Sequence, residues 1–252
     1  MKKNDFEHFT DLVIGRKPVE ELFKTGGKIE KLYILKGGEG SLKQLTAQGR
    51  EQKIPLFFKE KNFLDRLASG ENHQGIIART GEFSYSSLED ILVFSEKRGE
   101  DPFLLILDGI EDPHNLGAII RSAECTGVHG IIIPKRRAAS VNATVIKTSA
   151  GASAHMKVAK VTNISETMKK LKERGLWIAA CHTEGDTYYS TDLKGPLALV
   201  LGNEGGGISS LVLKNCDIFI TLPMKGQINS LNVSNAAAVA MYEVMKQRNE
   251  RI

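Results

Sequence analysis

Three stretches of the sequence gather side chains able to bind and orient polar ligands: DGIEDPHNLGAIIR at 108–121, LGNEGGGIS at 201–209 and LPMKGQINSLNVSNAAA at 222–238. Among them are two carboxamides (Asn115, Asn232), a carboxylate (Glu204), a hydroxyl (Ser230) and a guanidinium (Arg121). Carboxamides and hydroxyls both donate and accept hydrogen bonds, whereas a guanidinium only donates and keeps its charge at ordinary pH. Other familiar chemistries lack their signatures. No GxGxxG follows a strand and no GxxxxGK[ST] occurs, so neither a dinucleotide turn nor a P-loop is supported. The six histidines show no HExxH or other metal spacing, and no GxSxG marks a nucleophile elbow. Cys125, Cys181 and Cys216 stand too far apart for CxxC metal sites or a disulfide framework. Each stretch also has a plain reading. The first could be a capped helix start with Arg121 paired to Glu124, the second a loop whose glycines permit positive φ. The third could be a turn into a helix whose stripe of Val233, Ala237, Ala240 and Val244 is core.

Position is what unites the three. Each follows an apolar run of strand length (FLLIL, LALVL, IFIT), which places it at the carboxyl end of a strand, where open α/β sheets build their sites. From residue 101 onward such runs alternate with helical patterns. A helix starts at Pro113 behind Asp112 and reaches about residue 127. GIIIP, a helix opening near residue 140, KVAKV, the helix ISETMKKLKERG, and the strands LWIAACH and LALVLG follow. The helix SSLVLKNC, strand IFITLP and a last helix over about 232–248 complete the pattern. Near-continuous apolar strands separated by helices predict a parallel sheet covered on both faces. Earlier, the strands KLYIL, IPLFF and GIIAR alternate with helical stretches at 41–49 and 62–68, which predicts a small α/β unit. Between the two, residues 82–102 mix polar residues with Gly99 and Pro102 and read as a linker with a helical turn.

Of the 252 residues 41% are hydrophobic and 25% charged, which excludes disordered, collagen-like and coiled-coil classes. No apolar run approaches the roughly 20 residues that span a bilayer. The start, MKKNDFEHFTD, has lysines but no apolar core and does not read as a secretory signal, so a cytoplasmic protein away from membranes is expected. Net charge is +4, and residues 1–80 hold all of it, with 15 Lys/Arg against 11 Asp/Glu. A polyanion-facing module and an ordinary basic surface both fit that surplus.

In their order and spacing, NLGAIIR, LGNEGGGIS and LPMKGQINSLNVSNAAAVAMYE resemble the three motifs of the SpoU branch of the SPOUT methyltransferases. These enzymes methylate RNA ribose 2′-hydroxyls with S-adenosyl-L-methionine. The resemblance implies an α/β catalytic domain over 101–252, a parallel sheet tied in a deep trefoil knot. It also implies a small amino-terminal α/β RNA-binding domain over 1–80 and a linker over 81–100. The IGR start and the linker are similar to members that methylate a guanosine of 23S rRNA. It implies too that backbone groups of Gly202, Leu222 and Leu231 hold the cofactor, that Thr183 and Gly207 line the same pocket, and that no metal takes part. A homodimer would pack knot against knot, with the first-motif helix and the last helix as its natural interface, although their stripes serve equally well as core.

The implied catalytic set is Arg121, Asn115, Glu204, Ser230 and Asn232. Family members are proposed to activate the hydroxyl with the arginine matching Arg121. A group that stays protonated is a poor base, so a phosphate or ribose clamp that lowers the hydroxyl's pKa is the preferred role, with the general-base role kept open. Asn115 and Asn232 would orient Arg121 or the ribose, and Ser230 would touch the ribose. Glu204 would order the glycine loop, steer Arg121 or merely cap the loop. Cys125 and Cys216 read as small buried hydrophobes, and His114 as a loop residue beside the motif. Arg16, Lys17, Lys59, Lys61 and Arg66 are the expected phosphate contacts of the first domain. Alternatives are tRNA ribose methylation, modification of another rRNA nucleoside, and a non-catalytic RNA-binding assembly factor. The four side chains Asn115, Arg121, Glu204 and Asn232 argue against the last.

Overall fold

A computed structural model describes residues 12–24, 28–81 and 83–249; the start of the chain, expected not to be a secretory signal, lies outside them. The chain forms two compact units, one of the chain up to Ser84 with Val141–His155, the other of Tyr85–Ser140 and the chain from Met156.

The first unit contains β1 (Leu12–Ile14), α1 (Arg16–Lys24), β2 (Ile29–Leu35), α2 (Ser41–Glu51), β3 (Leu56–Lys59), α3 (Lys61–Leu67) and β4 (Ile76–Thr80). Its sheet has the order β1-β4-β2-β3, with β2 and β3 parallel and the other pairs antiparallel. Strand alternation gives each face its own helices. Leu32, Ile34 and Ala78 meet Val19, Leu22 and Phe23 of α1 and Leu42 and Leu45 of α2. On the opposite face Ile77, Tyr33 and Leu35 meet Leu64, Leu67 and Ala68 of α3.

The second unit opens with α4 (Leu88–Arg98), where a linker with one helical turn was expected. Ser87 and Asp90 form a reciprocal capping box at its start, and Gly99 ends it with φ +64. Ile91 and Leu92 are buried in the core, so the apolar residues of ILVF are an amphipathic face rather than spacer. Then come β5 (Phe103–Asp108), α5 (Pro113–Cys125) and β6 (Gly130–Pro134). Next is α6 (Ala143–Thr148), which belongs to the first unit: Ala143 joins its core, and Lys147 pairs with Glu71 at 2.5 Å. The remaining elements are β7 (Val158–Val161), α7 (Ile164–Glu173), β8 (Trp177–Thr187), β9 (Leu197–Gly202), α8 (Ser210–Leu213), β10 (Ile218–Thr221) and α9 (Val233–Asn249). The expected helix SSLVLKNC is thus a single turn.

All six strands run parallel in the order β10-β8-β9-β5-β6-β7. Alternate residues explain the apolar runs: Leu104, Ile106, Ala198 and Val200 face α4, α7 and α8, while Leu105, Leu107, Leu199 and Leu201 are buried as well. Asp112 accepts from the His114 amide at 2.9 Å with Pro113 at the first helical position, and Asn163 caps α7 in the same way, each cap stabilising its helix by about 1 kcal/mol. His114 is therefore the second residue of α5, not a loop residue. Cys125, expected to be buried, is exposed at the end of that helix, and Cys216 is half-buried. β8 runs longer than LWIAACH because it buckles: Phe219 pairs with Ala180 but Ile220 with Asp186. The stripe of Val233, Ala237, Ala240 and Val244 on α9 is core within the chain, while Val239 and Tyr242 of the same helix are exposed.

Candidate active site

Asp108 and Gly202 are register partners at the carboxyl ends of β5 and β9, so the loops after these strands leave the sheet side by side. The second loop is closed tightly on itself. Asn203 and Gly207 exchange both backbone hydrogen bonds, at 3.1 and 3.0 Å. The Asn203 side-chain oxygen accepts from the Gly205 and Gly206 amides at 3.0 and 2.5 Å, and Gly207 takes φ +63. A Cβ on Gly202 would lie 2.1 Å from the Gly207 carbonyl carbon, so the close approach this glycine permits is that of its own loop. Asp108 fastens the far end by accepting from the Ser209 amide at 2.8 Å. Neither Asp108 nor Asn203 was singled out from sequence; an asparagine two residues ahead of glycines, which favours a side-chain-closed turn, was the available signal.

Into this frame the three motifs send one side chain each. Asn115, buried in the first turn of α5, donates to Glu204 Oε1 at 3.2 Å. The Asn232 amide donates to Asn115 Oδ1 at 3.0 Å and also to Glu204 Oε1. Asn232 Oδ1 in turn accepts from the Ser234 amide at 2.9 Å, which orders the first turn of α9. Next to this cluster lies a cleft of about 250 Å³ walled by Gly109, Ile110, Asp112, Asn203, Gly205 and Val233 among others. Asn115 and Asn232 thus orient one another and Glu204, and Glu204 holds the glycine loop to two helices.

Arg121 is not among their partners. It lies six residues beyond Asn115 on α5, a rotation of about 240° at 100° per residue. It is exposed and makes no hydrogen bond or ion pair among the described residues, the alternative pair with Glu124 included. Ser230 is exposed in the segment from Leu222 to Leu231. Thr183 is exposed within the buckle of β8, on the strand that lies between β9 and β10. Strand order therefore sets Gly202, Gly207, Thr183 and Leu222 on the same carboxyl edge of the sheet, with Leu231 at the far end of the loop that starts at Leu222. Met224, Ile228 and Leu231 of this loop expose apolar surface, and its backbone amides and carbonyls have no protein partner among the described residues.

Burial pushes the Cys181 and Cys216 thiols up to about 11, which favours the protonated form at neutral pH. Among the described residues no group of three or more His, Cys, Asp or Glu is arranged to hold a metal ion, and no helix is long and apolar enough to cross a membrane.

Of the basic residues of the first unit, Arg16 is committed to structure: it donates to the Gln74 carbonyl at 2.8 Å and to Ser41 Oγ at 3.0 Å. Lys17 and Lys61 are exposed and unpaired among the described residues. Lys59 lies over the Phe63 ring at 5.0 Å, and Arg66 donates to the Asn62 carbonyl at 3.2 Å within α3. A second basic group escaped the sequence reading. Lys135, Arg136 and Arg137 follow β6 and are exposed, on a turn that the Ala139 amide ties to the Ile110 carbonyl at the wall of the cleft.

Residues 102–242 match the SpoU rRNA Methylase family, and residues 12–86 match the family described as RNA 2′-O ribose methyltransferase substrate binding. A protein of Bacillus subtilis named Putative TrmH family tRNA/rRNA methyltransferase YacO is 42% identical over 95% of this chain and 96% of its own. Among solved structures, the SpoU methyltransferase AviRb of Streptomyces viridochromogenes in complex with the cofactor AdoMet aligns with a TM-score of 0.76 and 25% identity, over 95% of this chain and 90% of that one. A TrmH/SpoU tRNA-modifying enzyme of A. aeolicus, 28% identical with a TM-score of 0.56, aligns over 60% of this chain and 78% of its own.

Proposed function

The chain belongs to the SpoU rRNA Methylase family, and from that premise we propose that it methylates the ribose 2′-hydroxyl of a guanosine in 23S rRNA. Dependence on S-adenosyl-L-methionine and methyl transfer to RNA come with the family. The observation that carries the reading is the hydrogen-bonded set Asn115–Glu204–Asn232, one residue from each motif, beside a cleft on the carboxyl edge of a parallel sheet.

The residues present fit the cofactor. An adenine offers an uncharged polar edge and apolar faces, and the loop from Leu222 to Leu231 offers unpaired backbone groups beside exposed Met224, Ile228 and Leu231. Gly202, Gly207 and Thr183 complete the same edge. Bound there, S-adenosyl-L-methionine supplies a methyl group already activated by the sulfonium charge, so the protein's task is alignment and release of the hydroxyl proton. Glu204, held by two carboxamides, keeps the glycine loop and the starts of α5 and α9 in register, which fixes the edge against which the ribose must lie. Arg121, which has no partner among the described residues, clamps an RNA phosphate or the ribose and lowers the hydroxyl's pKa; Ser230, exposed in the loop, touches the ribose. The family's trefoil knot, a cytoplasmic location and a homodimer belong to the same reading, the dimer covering the exposed Val239 and Tyr242 of α9.

The first unit favours rRNA over tRNA, because the tRNA-modifying enzyme above aligns over only 60% of this chain whereas this chain carries an added substrate-binding unit. Mapping 2′-O-methyl groups in 23S rRNA and tRNA from a deletion strain tests the assignment: one guanosine of 23S rRNA should lose its methyl group and regain it on complementation. Loss at a tRNA ribose instead would reassign the substrate, and no loss anywhere would favour an assembly factor.

A further inference from the structure

On the face of the first sheet that carries α3, the helix leaves the β3 side uncovered, and three aromatic rings collect there. Tyr33 and Phe57 are direct cross-strand partners, their ring centroids 5.9 Å apart, and Phe63 of α3 stands 5.6 Å from Tyr33. Two ammonium groups flank the rings. Lys31 Nζ lies 5.9 Å from the Tyr33 centroid and 6.0 Å from that of Phe57, and Lys59 Nζ lies 5.0 Å from that of Phe63. Neither lysine has a carboxylate partner among the described residues, and Phe57 is 42% exposed although it is apolar.

We propose that Tyr33, Phe57 and Phe63, with Lys31 and Lys59, form a stacking site for unpaired bases of the substrate RNA. Every base has a π-face, so rings accept bases regardless of sequence, while flanking cations neutralise the phosphates on either side. The rings are tilted by 39° and 46° to one another, so they offer separate faces rather than one closed stack. A base entering over Phe57 moves the Lys31 ammonium off the ring and onto a phosphate oxygen, which its flexible stem allows. Bases within an A-form helix cannot reach these rings, so the site selects loops and single strands. A protein partner of the same patch would need carboxylates to match two lysines and would not distinguish paired from unpaired RNA. The inference rests on the reading that the first unit handles RNA substrate.

The test uses the full chain, fluorescence anisotropy, and two probes: a fluorescein-labelled 12-nucleotide RNA without self-complementarity and a labelled RNA hairpin of 12 base pairs, lengths about those of one such binding site. Phe57→Ala should weaken single-strand binding about tenfold or more, the loss expected for one base–aromatic stack, and leave hairpin binding unchanged, with Tm lowered only by the lost cross-strand pair with Tyr33. Phe57→Trp should restore it, and in a Trp177→Phe background its fluorescence should be quenched by the single strand but not by the hairpin. Lys31→Ala and Lys59→Ala should each flatten the salt dependence by a slope of about 0.7. Single-strand affinity unchanged by Phe57→Ala, or equally weakened by Ala and Trp, overturns the stacking site and leaves the RNA reading standing. Failure of the unaltered chain to bind either probe overturns the RNA reading itself and the stacking site with it.

Discussion

Glu204 accepts hydrogen bonds from two carboxamides, one in α5 and one just before α9, whereas Arg121, on the face of α5 turned away from them, has no partner among the described residues. The two should fail differently when truncated. Glu204→Ala strands the buried Asn115 amide, a cost of about 1–3 kcal/mol, while the exposed Asn232 amide keeps Asn115 Oδ1, so calorimetry should show a lower Tm together with slower methyl transfer. Arg121→Ala should leave Tm and cofactor affinity unchanged and lower methyl incorporation into RNA at least about 10²-fold, the usual size of effect for a removed catalytic group. Turnover close to that of the unaltered enzyme would remove Arg121 from the mechanism. Gly202 makes a third case. Because the first atom of any side chain would meet the Gly207 carbonyl carbon at 2.1 Å, alanine should be as damaging as valine. Titration calorimetry should find no S-adenosyl-L-methionine binding to Gly202→Ala, and an undiminished heat would detach the glycine loop from the cofactor site.

At the scale of elements, His129 couples the end of α4 to the start of β5. Its Nδ1 accepts from the Phe103 amide at 2.9 Å, and Nε2 donates to Glu100 at 2.9 Å, one residue past the C-cap Gly99. Burial pushes the imidazole below its usual 6.5 despite the Glu100 carboxylate. A depressed folded pKa means that the unfolded chain takes up the proton first as pH falls. The stability this neutral histidine contributes is therefore complete above 6.5 and is lost as pH falls through the folded value. Protonation at Nδ1 also removes the acceptor for the Phe103 amide. Urea midpoints should drop between about pH 7.5 and about pH 5.5, and by less in His129→Gln. Equal drops in both proteins would place the titrating group elsewhere.

For the whole molecule, the two units do not divide where polarity changes along the chain. The polar stretch before residue 100 carries α4, whose Ile91 and Leu92 lie in the second unit's core; a Cβ on Gly130 would fall 2.6 Å from Ile91. A fragment beginning at residue 101 loses two buried side chains worth about 1.5–3 kcal/mol each and leaves that space beside β6 empty. A fragment beginning at Tyr85 keeps them. Thermal unfolding should show the longer fragment cooperative and the shorter one several degrees less stable or aggregated; equal Tm values would show that α4 adds nothing to the second unit.

The sequence by itself determined the parallel sheet, because FLLILD, GIIIP and LALVLG are apolar on both faces and only a sheet covered on both sides buries them. It also determined that the three motifs share the carboxyl edge of that sheet, since each directly follows such a strand, and the helix starts, since Asp112 and Asn163 satisfy amides two or three residues away. The three motifs were legible as the candidate site. Which of their side chains meet was not. Asn115 reaches Glu204 across 89 residues and Asn232 across 117, and partners that distant are selected by strand order and loop closure, not by spacing along the chain. Tertiary structure also decided that Gly202 serves its own loop, that Arg121 stands apart from the carboxamides, and that Cys125 is exposed. It drew α6 into the first unit and α4 into the second. In each case local pattern specifies what a residue can do, whereas burial and partner are properties of surfaces that exist only once distant segments have packed together.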